Sequence, residues 1–98
     1  MRIILITSGR VDRVALVRKL LTKQGVVPTE YRKGSEEALK FLRQARDNGS
    51  FDGRKDFGDP TLGVENNKGV PVWACVSPNT TRVFQAIEEV KGEPGDFQ

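Results

Sequence analysis

The chain has no histidine and a single cysteine among its 98 residues. Without histidine there is no Ser-His-Asp or Cys-His machinery, and no side chain whose ordinary pKa lies near neutrality. A closed zinc site draws about four Cys and His ligands, and Cys75 is the one such residue in the sequence. A lone cysteine forms no internal disulfide, so the sequence reads as one for a reducing, cytoplasmic compartment. No apolar run approaches the roughly 18 residues of a membrane span. The opening Met1-Arg2-Ile3-Ile4-Leu5-Ile6 passes straight into polar residues, unlike the long apolar core of a signal peptide. A large charge of one sign is also missing: 16 Lys and Arg against 13 Asp and Glu leave +3, spread along the chain. Neither nucleic acid nor a membrane is an expected partner on these grounds.

What is present is the patterning of one soluble domain over residues 1–98, with 30% charged and 37% apolar residues. Residues 2–7 form a short apolar run that reads as a buried strand. An elbow follows, Thr7-Ser8-Gly9-Arg10-Val11-Asp12-Arg13, and then a helix. Asp12 is placed to cap that helix, Val14, Val17, Leu20 and Leu21 give it an apolar face, and Gly25 closes it. Val26–Lys33 reads as a second strand, put at a sheet edge by Pro28, which has no N–H to donate. Ser35 caps a second helix with Glu36 and Glu37 in its first turn. Ala38, Phe41, Leu42 and Ala45 form its apolar face, and Asn48-Gly49 ends it. Two strands joined by a helix predict a right-handed βαβ unit.

Ser50–Gly69 is rich in Gly, Asp, Asn and Lys and reads as a long loop. Its acids Asp52, Asp56, Asp59 and Glu65 do not have calcium-loop spacing. Val70–Ser77 reads as a third, central strand, with Trp73 in the core and Cys75 as an inert buried thiol. Pro78-Asn79 is a turn signal. Thr80–Phe84 is open between two readings: a fourth strand completing a hairpin, or the start of a helix carrying Val83, Ala86, Ile87 and Val90. A stub of strand before a helix from Arg82 to Lys91 reconciles the two. Gly92–Gln98 reads as a frayed tail.

This order of elements resembles the thioredoxin fold in its glutaredoxin form. The series Leu39-Lys40-Phe41-Leu42, Arg46-Asp47, Phe51-Asp52 and Gly69-Val70-Pro71 is similar to one found in a subgroup of glutaredoxin-related proteins. The resemblance implies an α/β domain in three layers, α/β/α, with a βαβ unit followed by a strand hairpin and a helix. It implies that Val70-Pro71 is the family's cis-proline motif, opening the third strand and facing the first elbow. The family carries Cys-x-x-Cys, or a single Cys, in that elbow, and here Arg10 and Arg13 stand in the two cysteine positions of Arg10-Val11-Asp12-Arg13. Disulfide exchange requires a thiolate attacker, so conventional thiol–disulfide oxidoreductase activity is not expected. The family's Gly-Gly-x-Asp turn, which holds glutathione, is replaced by Ser77-Pro78-Asn79-Thr80, so glutathione is not an expected ligand either. No cofactor or metal is implied.

The expected function is that of a small cytosolic binding module using this degenerate active site. Its candidate residues are Ser8, Arg10, Asp12, Arg13, Val70 and Pro71. Two guanidinium forks beside free backbone N–H groups suit an anionic small molecule or an acidic peptide. Val70 and Pro71 would form the opposite wall and pair with an extended peptide. The plain alternative is a pair of solvated arginines at a helix start. Two further readings are a thiol-redox role for Cys75, and nucleic-acid binding by the basic residues Arg18, Lys19, Lys23, Arg43 and Arg46.

Overall fold

The computed structural model describes residues 1–9, 12–53 and 58–91. Arg10 and the tail 92–98 lie outside the described residues. In chain order the elements are β1 (Arg2–Thr7), α1 (Asp12–Lys23), β2 (Thr29–Arg32), α2 (Glu36–Asp47), β3 (Thr61–Glu65), β4 (Pro71–Val76) and α3 (Thr80–Lys91). The strands form one mixed sheet in the order β2-β1-β3-β4.

The side-chain period of two in β1 divides the interior into two cores. Ile3 and Leu5 join Val14, Val17 and Leu21 of α1 and Val83, Ala86 and Ile87 of α3. Ile4 and Ile6 point the other way, to Ala38, Phe41 and Ala45 of α2. The result is three layers, with α1 and α3 on one face of the sheet and α2 on the other. Local signals set the end of α1 and the start of α2, while Asp12, expected as a cap, is instead the first residue of α1. The amide of Gly25, at φ +74°, donates to Thr22 O, and that of Val26 to Leu21 O, closing α1 in the Schellman manner. Ser35 Oγ accepts the Ala38 N–H at 3.3 Å and caps α2.

β2 lies parallel to β1 at the sheet edge, from Thr29 opposite Ile4 to Arg32 opposite Thr7. β3 runs antiparallel to β1, with Glu65 opposite Arg2 and Thr61 opposite Ile6. β3 corrects the reading of Ser50–Gly69 as a loop. Five residues with a glycine in the middle, set among Asp, Asn and Lys, carry little strand signal. Their burial on both faces makes them a strand, and Gly63 is needed because Phe41 covers it. The sharp return to β4 is built by Asn66, whose Oδ1 accepts the N–H groups of Lys68 at 2.9 Å and Val70 at 3.0 Å.

Two further expectations change as a consequence. The Val70–Ser77 segment is not the central third strand but β4, last in the sheet order. Among the described residues, its outer side is met by an isolated β-bridge between Phe51 and Ala74. The hairpin is formed by β3 and β4, not by Thr80–Phe84. Thr80 is already helical, because Asn79 Oδ1 accepts the Arg82 N–H at 2.9 Å and the apolar spacing from Val83 onward suits a helix lying on the sheet. Trp73 is half-buried at the margin of the α3 core rather than inside it.

Candidate functional site

The end of β1 meets the residues that precede β3, because antiparallel pairing places Thr61 opposite Ile6. Asp59 is thereby carried to the elbow. Its Oδ1 accepts the hydroxyl of buried Thr7 at 2.6 Å, and its Oδ2 accepts that of Ser8 at 2.5 Å. The Ser8 N–H points at both oxygens, at 3.4 and 3.3 Å. Gly9 N–H donates to Thr7 Oγ1 at 3.0 Å, which leaves the Thr7 proton for the carboxylate. Partial burial raises the Asp59 pKa, but the hydrogen bonds from Ser8 and Thr7 and the charge of Lys33 outweigh it. The net result is a carboxyl held below its ordinary range.

Arg13, in the first turn of α1, is engaged elsewhere. Its Nη1 donates to the carbonyls of Ser77 and Pro78, each at 3.2 Å, and ties α1 to the β4–α3 connection. Ser77 there adopts φ +47°. On the other side of the elbow, Arg18 makes a two-pronged pair with Glu30, at 3.0 and 2.6 Å. A cavity of about 240 Å³ opens between Thr7–Gly9 and Arg18, Glu30 and Arg32. Arg32 and Lys33 are exposed at the end of β2, and the Lys33 N–H donates to Thr7 O at 3.1 Å.

The structure thus brings Ser8, Asp12 and Arg13 to one end of the sheet, and Arg10 lies outside the described residues. It does not bring Val70 and Pro71 there. Pro71 pairs with Glu65, which pairs with Arg2, so both lie at the opposite end of the sheet, one strand length away. The misplacement follows from the missed strand: once β3 is inserted, the segment entering β4 starts at the far end. The carbonyl of Pro71 accepts Asn48 Nδ2 at 2.8 Å and Ser50 Oγ at 3.0 Å, which fastens the exit of α2. The cis X-Pro bond among the described residues is Asp59–Pro60, not Val70–Pro71. Sequence reasoning missed Asp59, Arg32 and Lys33. The one signal for Asp59 was its position before a proline and a short apolar run.

Cys75 is 6% exposed, and desolvation pushes its thiol pKa up, away from the reactive thiolate. The charges of Arg82 and Asp52 act on it in opposite senses, and these two pair with each other, while Trp73 Nε1 donates to Asp52 Oδ2 at 3.3 Å. The basic residues proposed for nucleic acid divide between helices on opposite faces: Arg18, Lys19 and Lys23 on α1, Arg43 and Arg46 on α2. Among the described residues, no group of His, Cys, Asp and Glu could hold a metal ion, and no helix is long and apolar enough to cross a membrane. No protein-family model matches the chain, and no curated protein and no solved structure matches it either.

Proposed function

We propose that the chain is a thioredoxin-like domain of glutaredoxin type that has no thiol chemistry at its first elbow and binds an anionic ligand there. The ligand class is an acidic peptide or a small molecule bearing carboxylate or phosphate, met in the cytoplasm. Two features support the fold assignment: the order of elements, βαβ, helix, strand hairpin, helix, and a proline, Pro60, opening the third strand beside the elbow, the place given above to Pro71. The observation that carries the binding reading is the concentration of donors and positive charge at one end of the sheet. Ser8 is exposed, Arg32 and Lys33 leave the neighbouring strand beside it, and the cavity between Ser8 and Arg32 is also lined by the Arg18–Glu30 ion pair. Positive charge flanking converging N–H and O–H donors is the arrangement that retains oxyanions.

A titration of amide chemical shifts with inorganic phosphate, glutathione and a short acidic peptide tests this. Saturable shifts at Ser8, Gly9 and Arg32 with phosphate or the acidic peptide are the expected result. Glutathione offers two carboxylates but meets no dedicated turn, so it should bind no better than the peptide. If none of the three moves these residues, the reading fails.

A further inference from the structure

The donors at the elbow already hold a carboxylate, and it belongs to the chain itself. Both oxygens of Asp59 are engaged, by Thr7 Oγ1, by Ser8 Oγ and by the Ser8 N–H. This is the hydrogen-bond pattern that a free carboxylate or a phosphate face would seek. We propose that Thr7 and Ser8 form an oxyanion cradle in which Asp59 is the resident occupant, and that an external carboxylate or phosphate enters by displacing it. The inference rests on the elbow reading above and specifies how the ligand is admitted.

The cradle is fixed, and its occupant is a side chain supplied by another connection. Thr7 is buried in the sheet, its carbonyl held by the Lys33 N–H and its hydroxyl oriented by the Gly9 N–H. Asp59 comes from the connection ahead of β3 and is only half-buried. Exposed Ser8 leaves the cradle reachable from solvent, and Lys33, which favours the Asp59 charge, favours an incoming anion equally. A tethered carboxylate competes at an effective concentration on the order of millimolar or above. Simple anions therefore bind the wild-type elbow with lowered apparent affinity, and a ligand gains when its remaining groups add contacts elsewhere in the 240 Å³ cavity.

The experiment is an amide-shift titration of the full chain with inorganic phosphate and, separately, with acetate. It compares wild type, Asp59→Ala and Asp59→Asn, with the acidic peptide run on wild type. Removing the occupant should lower the apparent Kd read at Thr7, Ser8 and Gly9 by about tenfold or more in Asp59→Ala and by several-fold in Asp59→Asn. The near-isosteric Asp59→Asn provides the comparison if Asp59→Ala fails to fold. The phosphate and acetate arms show which oxyanion the cradle takes. Equal affinity in wild type and a folded variant overturns displacement while leaving the elbow reading intact. Tighter binding by the variants, with wild type silent to the peptide, upholds the cradle and overturns the elbow reading. No shift at Thr7–Gly9 in any protein with either anion removes the cradle.

Discussion

The ring of Phe41 in α2 occupies the space where a side chain at Gly63 in β3 would project. A Cβ placed on Gly63 would lie 2.6 Å from Phe41 Cε1, and closer still to Cζ. The central position of β3 is thus reserved for glycine by an aromatic ring from the helix that covers that face of the sheet.

Gly63→Ala should therefore destabilise the fold. Overpacking a well-filled core costs about 1–3 kcal/mol. The lower backbone entropy of alanine in the unfolded chain returns less than about 1 kcal/mol of this. Phe41→Leu should weaken the penalty, because the smaller side chain vacates the space, so the two substitutions should couple in a double-mutant cycle. Urea denaturation of the two single variants and the double variant measures this. Strict additivity would show that Phe41 moves aside without cost.

The same pair explains what the sequence did and did not reveal. The apolar spacing of α1 and α2 and their glycine ends were legible because helix periodicity and caps are local. β2 takes the expected edge position, but it spans only Thr29–Arg32, so Pro28 precedes the strand and is not what sets its place. β3 was not legible, because Thr61-Leu62-Gly63-Val64-Glu65 owes its strand character to partners distant in sequence: Ile4 beside Gly63, and Phe41 over it. Missing that strand displaced Val70 and Pro71 to the wrong end of the sheet and hid Asp59. Ser8 and Arg13 were correctly placed at the elbow, because the strand-to-helix turn needs only nearby residues. Their partners, Asp59 and the Ser77–Pro78 carbonyls, depend on the long-range register.

Cys75 should be inert in the native protein. A disulfide reagent needs access and a thiolate, and this thiol is buried with its pKa pushed up by desolvation. Labelling in native buffer should be slow and should track unfolding as urea is raised. Rapid stoichiometric labelling without denaturant would reopen a redox role for this residue.

Ser77 holds a left-handed backbone conformation, φ +47°, while its N–H donates to Pro60 O at 2.8 Å and its carbonyl accepts Arg13. Ser77→Gly should fold at least as stably as wild type, since glycine adopts this region without steric cost. Ser77→Val should lose about 1–2 kcal/mol, because a β-branched side chain is strongly disfavoured there. For a domain of this size that corresponds to a fall in Tm of roughly 4–16 °C. Calorimetry of both variants checks the order. A Val variant as stable as wild type would mean that the turn relaxes to negative φ.

Asp59 should contribute to the acid limb of stability. Its native carboxyl titrates below the ordinary range, held there by Ser8, Thr7 and Lys33 against partial burial. The unfolded chain therefore takes up this proton first, near the ordinary value of about 3.9. The stabilisation from ionised Asp59 is complete above that value and is lost as pH falls through the lower native one. Asp59→Asn removes this titration, so its stability should fall less steeply than that of wild type from about pH 5 downward, while the remaining carboxylates act on both proteins alike. Urea midpoints of the two proteins between pH 2 and 7 provide the comparison, with the gap narrowing toward acid. Parallel curves across the range would mean that Asp59 is not bound by Thr7 and Ser8 in solution, and the resident-occupant model of the elbow would fall with it.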